Sequence, residues 1–165
     1  MAKEIERKFL VRSDGWTSHV TSSAKLRQGY VTIGEDRSLR IRLRDQSKAL
    51  LTIKIGRDLL SRDEYEYEIP LADGEELIRA SIGTIIEKTR HNVPVDGLVW
   101  EIDVFHGAYE GLVLAEVELT HEGQQPSIPS WIGAEVTGDR RYSNMAMATE
   151  TASKEIVNGL SHPAV

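Results

Sequence analysis

Two pairs of glutamates occupy alternate positions within short, otherwise apolar segments. Glu4 and Glu6 lie near the start of the chain, and Glu116 and Glu118 lie far from them in sequence. Residues i and i+2 of a strand point to the same face, about 7 Å apart, so the members of each pair repel each other. Asp103 lies in a third alternating segment. Gathered in one place, these carboxylates suit a hard cation, Mg²⁺ or Mn²⁺, which prefers oxygen ligands.

Basic side chains occupy the charged positions of other alternating segments. They are Lys8, Arg40, Arg42, Arg44, Lys54, Lys88 and Arg90. Guanidinium groups bind phosphate oxygens through two parallel hydrogen bonds, and an ammonium group acts as a point charge. Cations beside a carboxylate-bound metal therefore suit a ligand with adjacent phosphates. The chain has no GxxxxGK[ST] and no GxGxxG motif, which excludes P-loop and Rossmann phosphate sites.

The same charges have a plainer interpretation. A sheet with one face in water also alternates apolar and polar residues. The cations, Arg44 and Arg62 in particular, could then be ion-pair partners of the acidic strands. However, whole segments are acidic and whole segments are basic, and nearly every polar position is fully charged. This sorting favours strands that turn their charged faces inward around a polar cavity.

The elements that position these residues are mainly strands. Alternation runs through residues 3–11, 38–44, 50–55, 62–69, 99–105 and 112–119, and segments 25–33 and 84–90 also resemble strands. Short turn signals between the segments, such as Gly34–Asp36 and Asp96–Gly97, favour antiparallel hairpins. About eight strands predict a large sheet or a barrel.

Helices are fewer in this pattern. Asp73 followed by Glu76 resembles a capping box, with Ile78 and Ile82 at helical spacing behind it. After Asp139 the periodicity becomes helical again and continues through Ala152, Ile156 and Leu160. The fold class is therefore α+β and mainly β, with a C-terminal helix. We expect residues 1–165 to form a single domain.

Composition excludes several classes of protein. The chain of 165 residues has a net charge of −6 and no cysteine, which excludes a uniformly basic nucleic-acid binder, disulfides and thiol chemistry. The charged N-terminus does not resemble a signal peptide, and no apolar run is long enough to span a membrane. We therefore expect a cytoplasmic protein without a nucleic-acid or membrane partner.

The chain resembles the CYTH domain family, the triphosphate tunnel metalloenzymes. The E-x-E-x-K signature of that family is present at its start as Glu4, Glu6 and Lys8. Matching elements follow in order over nearly the whole chain. They are Leu26–Tyr30 (LRQGY), Leu39–Arg44 (LRIRLR), Thr52–Lys54 (TIK), Arg62–Glu66 (RDEYE), Glu87–Arg90 (EKTR), Glu101–Phe105 (EIDVF), Glu116–Glu118 (EVE) and Asp139–Asn144 (DRRYSN).

This resemblance implies an eight-stranded antiparallel closed barrel, a tunnel with a charged lumen. It implies Mg²⁺ or Mn²⁺ as cofactor and a triphosphate-bearing small molecule as substrate; homodimers also occur in the family. The implied metal-facing acids are Glu4, Glu6, Asp103, Glu116 and Glu118. The implied phosphate-binding residues are Lys8, Arg40, Arg42, Arg57, Lys54, Lys88 and Arg90. Tyr30 and Lys54 fall where the tripolyphosphatase branch is thought to activate water.

The resemblance favours hydrolysis of inorganic tripolyphosphate to pyrophosphate and phosphate, because compact chains that begin EIERKFLV are most similar to the tripolyphosphatases. Two alternatives stay open. The same tunnel serves adenylate cyclases and thiamine or nucleoside triphosphatases. A non-catalytic module that binds polyphosphate would use the same cations, although it would need the carboxylates less.

Overall fold

Nine β-strands and two α-helices form most of the structure, a computed structural model that describes residues 3–58 and 60–149. The strands are β1 (Lys3–Val11), β2 (Ser22–Ile33), β3 (Arg37–Arg44), β4 (Lys48–Ile55), β5 (Ser61–Ile69), β6 (Ile82–Val95), β7 (Leu98–His106), β8 (Val113–Glu118) and β9 (Ile132–Glu135). The helices are α1 (Leu71–Ile78) and α2 (Asn144–Thr149). Neither of these two helices has the length and apolar character needed to cross a membrane, and the described residues contain no other candidate.

Eight of the strands close into an antiparallel barrel. Their order is β5-β4-β3-β2-β6-β7-β8-β1, and β1 then pairs with β5. The ninth strand, β9, pairs with the far end of β1 at Phe9 and Val11. The closed, mainly β barrel predicted from the sequence is confirmed.

Strand register sets which side chains share the barrel interior. Glu6 lies opposite Glu118, and Arg42 lies opposite Gln28. Directly opposed residues of neighbouring strands point to the same face. Most charged positions of the alternating segments therefore point into the barrel, as the sequence predicts, although Leu26 and Leu50 also line the interior and Arg7 and Arg27 face outward.

The apolar outer face is covered by two separate layers. Over β7, β8 and β1, Trp100 packs between Phe9 and Trp131, with ring centroids at 5.4 and 6.0 Å. Over β3 and β4, helix α1 buries Ile41 and Ala49. Because these two cores lie outside the barrel wall, much of the interior is left to polar groups.

One end of the barrel interior is filled by apolar side chains. Helix α2 contributes Met147 and Ala148 to a cluster that includes Leu114, Phe105 and Tyr30. A 3₁₀ turn at Arg140–Tyr142 precedes the helix and adds Tyr142. The predicted C-terminal helix therefore begins at Asn144, and its predicted continuation through residues 152, 156 and 160 lies outside the described residues.

The first helix differs from the sequence prediction. Helix α1 begins at Leu71, directly after Pro70, so Asp73 lies within its first turn and caps nothing. Ile82 is the first residue of β6 rather than part of the helix. Proline has a fixed φ and cannot donate a backbone hydrogen bond, which suits the boundary of a helix. The capping-box interpretation was therefore wrong.

Gly74 lets α1 lie directly on the barrel. A Cβ atom at this position would overlap the Cβ of Ala49 and approach Leu43 Cδ2 to 3.1 Å. We expect Gly74→Ala to destabilise the fold, because overpacking costs about 1–3 kcal/mol and exceeds the helix-propensity gain of about 0.5–1 kcal/mol. Urea unfolding measures the change. Exposed Glu75→Ala in the same helix should leave stability nearly unchanged, and equal or greater stability of Gly74→Ala would contradict the close contact.

Candidate functional site

The inward-facing side chains surround a cavity of about 640 Å³. This volume lies within the usual range of small-molecule sites, about 300–1,000 Å³. The charges on its wall are partly sorted by strand: β3 contributes Arg40, Arg42 and Arg44, whereas β1 and β8 together contribute half of the lining carboxylates. Strand β3 lies across the barrel from β8, four strands away in either direction, and three strands from β1 on the shorter side. The cavity therefore has a cationic wall facing an acidic wall.

The acidic wall brings both predicted glutamate pairs together. Glu4, Glu6, Glu116 and Glu118 all line the cavity. Lys54 contacts Glu4, with its Nζ 3.2 Å from Oε1 and 3.0 Å from Oε2. Lys8 Nζ lies 3.5 Å from Glu116 Oε1. Within residues 3–58 and 60–149, the carboxylates of Glu6 and Glu118 have no hydrogen-bond or ion-pair partner.

Electrostatics divide these acids into two groups. Burial, reinforced by Glu116 and Glu4, raises the pKa of Glu6 to about 8. Burial and neighbouring carboxylates also raise the pKa of Glu118. Burial opposes ionisation of Glu116 as well, but Lys8 and nearby cations outweigh it and hold its pKa well below the usual value. The acidic wall thus brings together more carboxyl groups than its own cations keep ionised.

These acids suit a divalent cation whose coordination shell is completed by a bound ligand. In the described part of the chain, no three acidic or histidine side chains are close enough to form a ready-made metal centre. Magnesium does not need such a centre, since it is usually held by one or two carboxylates, water and substrate phosphates. The unpartnered carboxylates of Glu6 and Glu118 offer oxygen ligands of the required type.

The cationic wall is held from behind by neighbouring strands. Arg40 Nη2 donates to Thr52 Oγ1 at 3.3 Å and lies 3.7 Å from Glu66 Oε2. Arg42 donates from Nε and Nη2 to the single oxygen Gln28 Oε1, at 2.9 and 2.7 Å. Burial, with repulsion from Arg40 and Arg90, lowers the pKa of Arg42 to about 9.

Asp103 anchors a buried network behind the cavity. Its Oδ1 accepts from Arg90 Nε at 2.8 Å, and its Oδ2 accepts from Arg90 Nη2 at 2.9 Å and Lys88 Nζ at 2.7 Å. Asp103 and Lys88 are almost fully buried and do not line the cavity, whereas Arg90 does. Burial opposes ionisation of Asp103, but Arg90 and Lys88 lower its pKa. Asp103 is thus held by two cations, although the sequence analysis expected it among the metal-facing acids.

The residues expected to activate water lie on β2 and β4, the two strands that flank β3. Tyr30 and Lys54 both line the cavity. The ring of Tyr30 packs into the apolar cluster at the closed end, and its hydroxyl has no hydrogen-bond partner among the described residues. Lys54 also lies 3.5 Å from Glu64 Oε2. The hydroxyl of Tyr30 is therefore free to bind a ligand in the cavity.

Arg57 is the one expected phosphate-binding residue that the structure places away from the cavity wall and in solvent. Its side chain is 70% exposed, and Nη2 lies 3.3 Å from Glu35 Oε1. Glu35 itself lines the cavity. Because Gly56 (φ +133°) precedes Arg57 in the β4–β5 turn, the chain direction there could not be inferred from strand alternation.

The C-terminal segment contributes residues to which the sequence analysis gave no role. Arg140, Ser143, Asn144 and Met145 line the cavity. Asn144 Oδ1 accepts from Lys88 Nζ at 3.1 Å, and the Tyr142 carbonyl accepts from Lys8 Nζ at 2.9 Å. The motif Asp139–Asn144 was the available signal, but its spacing is helical and gives no indication that it faces a tunnel.

Comparisons with known proteins agree with this geometry. A family model described as CYTH domain matches residues 2–150. A protein of Acetivibrio thermocellus named inorganic triphosphatase is 43% identical over 145 residues, which cover 87% of this chain and 92% of that one. An inorganic triphosphatase of Nitrosomonas europaea is also 43% identical, over 149 residues that cover 88% and 96%. A solved crystal structure of an inorganic triphosphatase is 39% identical, covers 90% of this chain and 95% of its own, and superposes with a TM-score of 0.64.

Charge crowding around Glu6 predicts a pH-dependent stability. The raised pKa means that the folded chain keeps a proton on Glu6 that the unfolded chain releases from about pH 4.5 upward. In buffer with chelator, the free energy of unfolding should therefore fall as pH rises from 4.5 towards 8. For Glu6→Gln the free energy of unfolding should fall less steeply. Thermal unfolding of both proteins from pH 5 to 9 measures this. Glu75→Gln on α1 should follow the wild type, and identical pH profiles for Glu6→Gln and wild type would contradict the crowding.

Proposed function

The chain belongs to the CYTH domain family, and from this premise we propose that it is a metal-dependent inorganic triphosphatase. It hydrolyses inorganic tripolyphosphate to pyrophosphate and phosphate. The observation that carries the proposal is the sorted cavity, in which a cationic wall faces an acidic one. A linear chain of phosphates needs cations along one side, and a divalent ion held by carboxylates on the other side would supply further positive charge.

The phosphates are bound by the arginines of the cationic wall together with cations from other strands. The cations that line the cavity and are suited to phosphate binding are Lys8, Arg40, Arg42, Lys54 and Arg90. Charge-assisted hydrogen bonds from guanidinium groups to phosphate are strong because both partners are ionised. Lys88 supports this wall from behind through Asp103, and Arg57 approaches it only at the rim.

The acidic wall holds a divalent metal ion, Mg²⁺ or Mn²⁺. Its proposed ligands are drawn from Glu4, Glu6, Glu116 and Glu118, which line the cavity. Bound there, the ion supplies Lewis-acid charge that offsets the negative charge of the phosphoryl oxygens. Asp103 takes a different role in this proposal, because both of its oxygens already bind Arg90 and Lys88.

Hydrolysis requires a water molecule directed at a terminal phosphorus. The Tyr30 hydroxyl accepts a hydrogen bond from this water and orients it. The water proton passes to a non-bridging oxygen of the phosphoryl group under attack, and the Lys54 ammonium stabilises the negative charge that develops there. The water oxygen bonds to phosphorus while the bridging P–O bond breaks. The electron pair of the broken bond departs with pyrophosphate. Arginines of the opposite wall neutralise the charge that grows on the bridging oxygen.

A substrate panel tests the reaction. Purified protein is assayed with tripolyphosphate, ATP and thiamine triphosphate, each with Mg²⁺, Mn²⁺ or EDTA. We expect phosphate release from tripolyphosphate above all, and none in EDTA. Cyclic AMP from ATP would indicate a cyclase on the same fold. Tight binding of tripolyphosphate without turnover under any metal condition would indicate a binding module and overturn the proposal.

The acidic wall yields a prediction for Glu4. Glu4→Gln should abolish Mg²⁺-dependent turnover, because an amide is a much poorer ligand for a hard cation than a carboxylate. Circular dichroism should show a folded protein, and calorimetry should show weaker Mg²⁺ binding. Exposed Glu75→Gln serves as the matched control with unchanged activity. Full activity of Glu4→Gln would remove Glu4 from the metal site.

The hydroxyl of Tyr30 yields a second prediction. Tyr30→Phe keeps the ring that packs at the closed end and deletes the group that reaches water. We expect kcat on tripolyphosphate to fall by about 10²–10⁴-fold with little change in KM, as for lost acid–base assistance. Tyr67→Phe, on the exposed outer face, is the matched control. A raised KM with unchanged kcat would make Tyr30 a phosphate contact instead.

A further inference from the structure

Arg42 differs from the other buried cations in having no acidic partner. Three basic side chains of the described residues are buried: Arg40, Arg42 and Lys88. Arg40 lies 3.7 Å from Glu66, and Lys88 lies 2.7 Å from Asp103. Within residues 3–58 and 60–149, no carboxylate approaches the guanidinium of Arg42 to ion-pair distance. Its hydrogen-bond acceptor is instead the neutral amide of Gln28.

The geometry of this pair leaves one edge of the guanidinium free. Both Nε and Nη2 of Arg42 donate to Gln28 Oε1, at 2.9 and 2.7 Å. On the outside of the barrel, Arg7 uses the same two nitrogens to bind the carboxylate of Glu135, at 2.8 and 2.7 Å. Nη1 of Arg42 has no partner among the described residues. Since Arg42 lines the cavity, its remaining donors are available to a ligand.

Gln28 occupies this position at a cost in stability. Its side chain is fully buried, and its Nε2 has no hydrogen-bond partner among the described residues. A buried amide donor without a partner destabilises a fold, and such groups often mark function. A carboxylate in the same place would bind both nitrogens without leaving this donor unpaired, but it would cancel the charge of Arg42.

We propose that Gln28 is a positioning residue for substrate recognition, which orients Arg42 through a neutral acceptor and so leaves its full positive charge for a phosphate group. The inference rests on the proposed triphosphatase function and extends it to a residue that does not line the cavity. The strand register fixes this arrangement, because Gln28 lies directly opposite Arg42 in the β2–β3 pair. The fixed separation keeps the amide carbonyl against one edge of the guanidinium.

Replacing the neutral acceptor by a charged one tests the electrostatic part. Gln28→Glu should raise both the KM and the calorimetric Kd for tripolyphosphate by about ten- to a hundredfold, as expected for a neutralised charge-assisted contact, and leave kcat within about threefold. Gln125→Glu adds the same charge on an exposed loop and should change neither. An unchanged Kd for folded Gln28→Glu would overturn the inference.

A double-mutant cycle tests whether Gln28 acts through Arg42. Gln28→Met removes the acceptor and should raise KM severalfold in the wild-type background. In an Arg42→Met background the same change should have no further effect on KM or Kd, because its target is gone. Additive effects would show that Gln28 acts independently and would overturn the inference. Should Gln28→Glu fail to fold, this cycle still decides.

Different results would overturn the triphosphatase function and the role of Gln28. A wild-type protein that neither binds nor hydrolyses tripolyphosphate would overturn the proposed function, and this inference with it. A wild-type protein that binds and hydrolyses it, combined with additive effects in the cycle, would overturn the inference alone.

Discussion

The closure between β1 and β5 is the constraint on which the rest of the site depends. The seam has three residue pairs, Lys3 with Asp63, Glu4 with Arg62 and Ile5 with Ser61, whereas the neighbouring hairpins are paired over most of their length. This short contact brings the acids of β1 within reach of β4 and β5. Lys54 connects all three strands, because its Nζ contacts both Glu4 and Glu64. A residue expected to act on substrate therefore also stabilises the closed barrel.

The same closure forces opposite charges into one enclosed space. Burial makes each ion costly unless a partner compensates it. In part the wall compensates itself, as in the contacts of Lys8 with Glu116 and Arg90 with Asp103. The remainder includes the carboxylates of Glu6 and Glu118 and the guanidinium of Arg42, which have no ion-pair partner among the described residues. In the proposed function, a divalent ion and a polyphosphate would compensate both sides together, so that each ligand would improve the site for the other.

The alternation of apolar and charged residues predicts part of the fold and of the site. Period-2 spacing identifies which side chains share a face, so the inward parity of Glu4, Arg42 and Glu116 was predictable, and the family resemblance supplied the closed barrel. Alternation does not contain cross-strand register, which depends on the turns. The structure was needed to show that Asp103 lies opposite Arg90 and forms an ion pair with it. The same holds for the position of Gln28 opposite Arg42. The start of α1 was mispredicted because Pro70 set the boundary where side-chain spacing indicated Asp73.

A charged interior is tolerated here because stability is supplied from outside the barrel. Trp100 and Ile102 on the outer face of β7 are fully buried beneath Trp131 and its neighbours, and α1 buries Ile41 on the other side. Burial of such side chains stabilises a fold by about 1.5–3 kcal/mol each. With two apolar layers outside and an apolar cluster at the closed end, the charged part of the inner wall does not need to contribute hydrophobic stabilisation. It can therefore hold unpaired carboxylates and a cation without a counter-ion, the groups that a metal ion and a phosphate chain require.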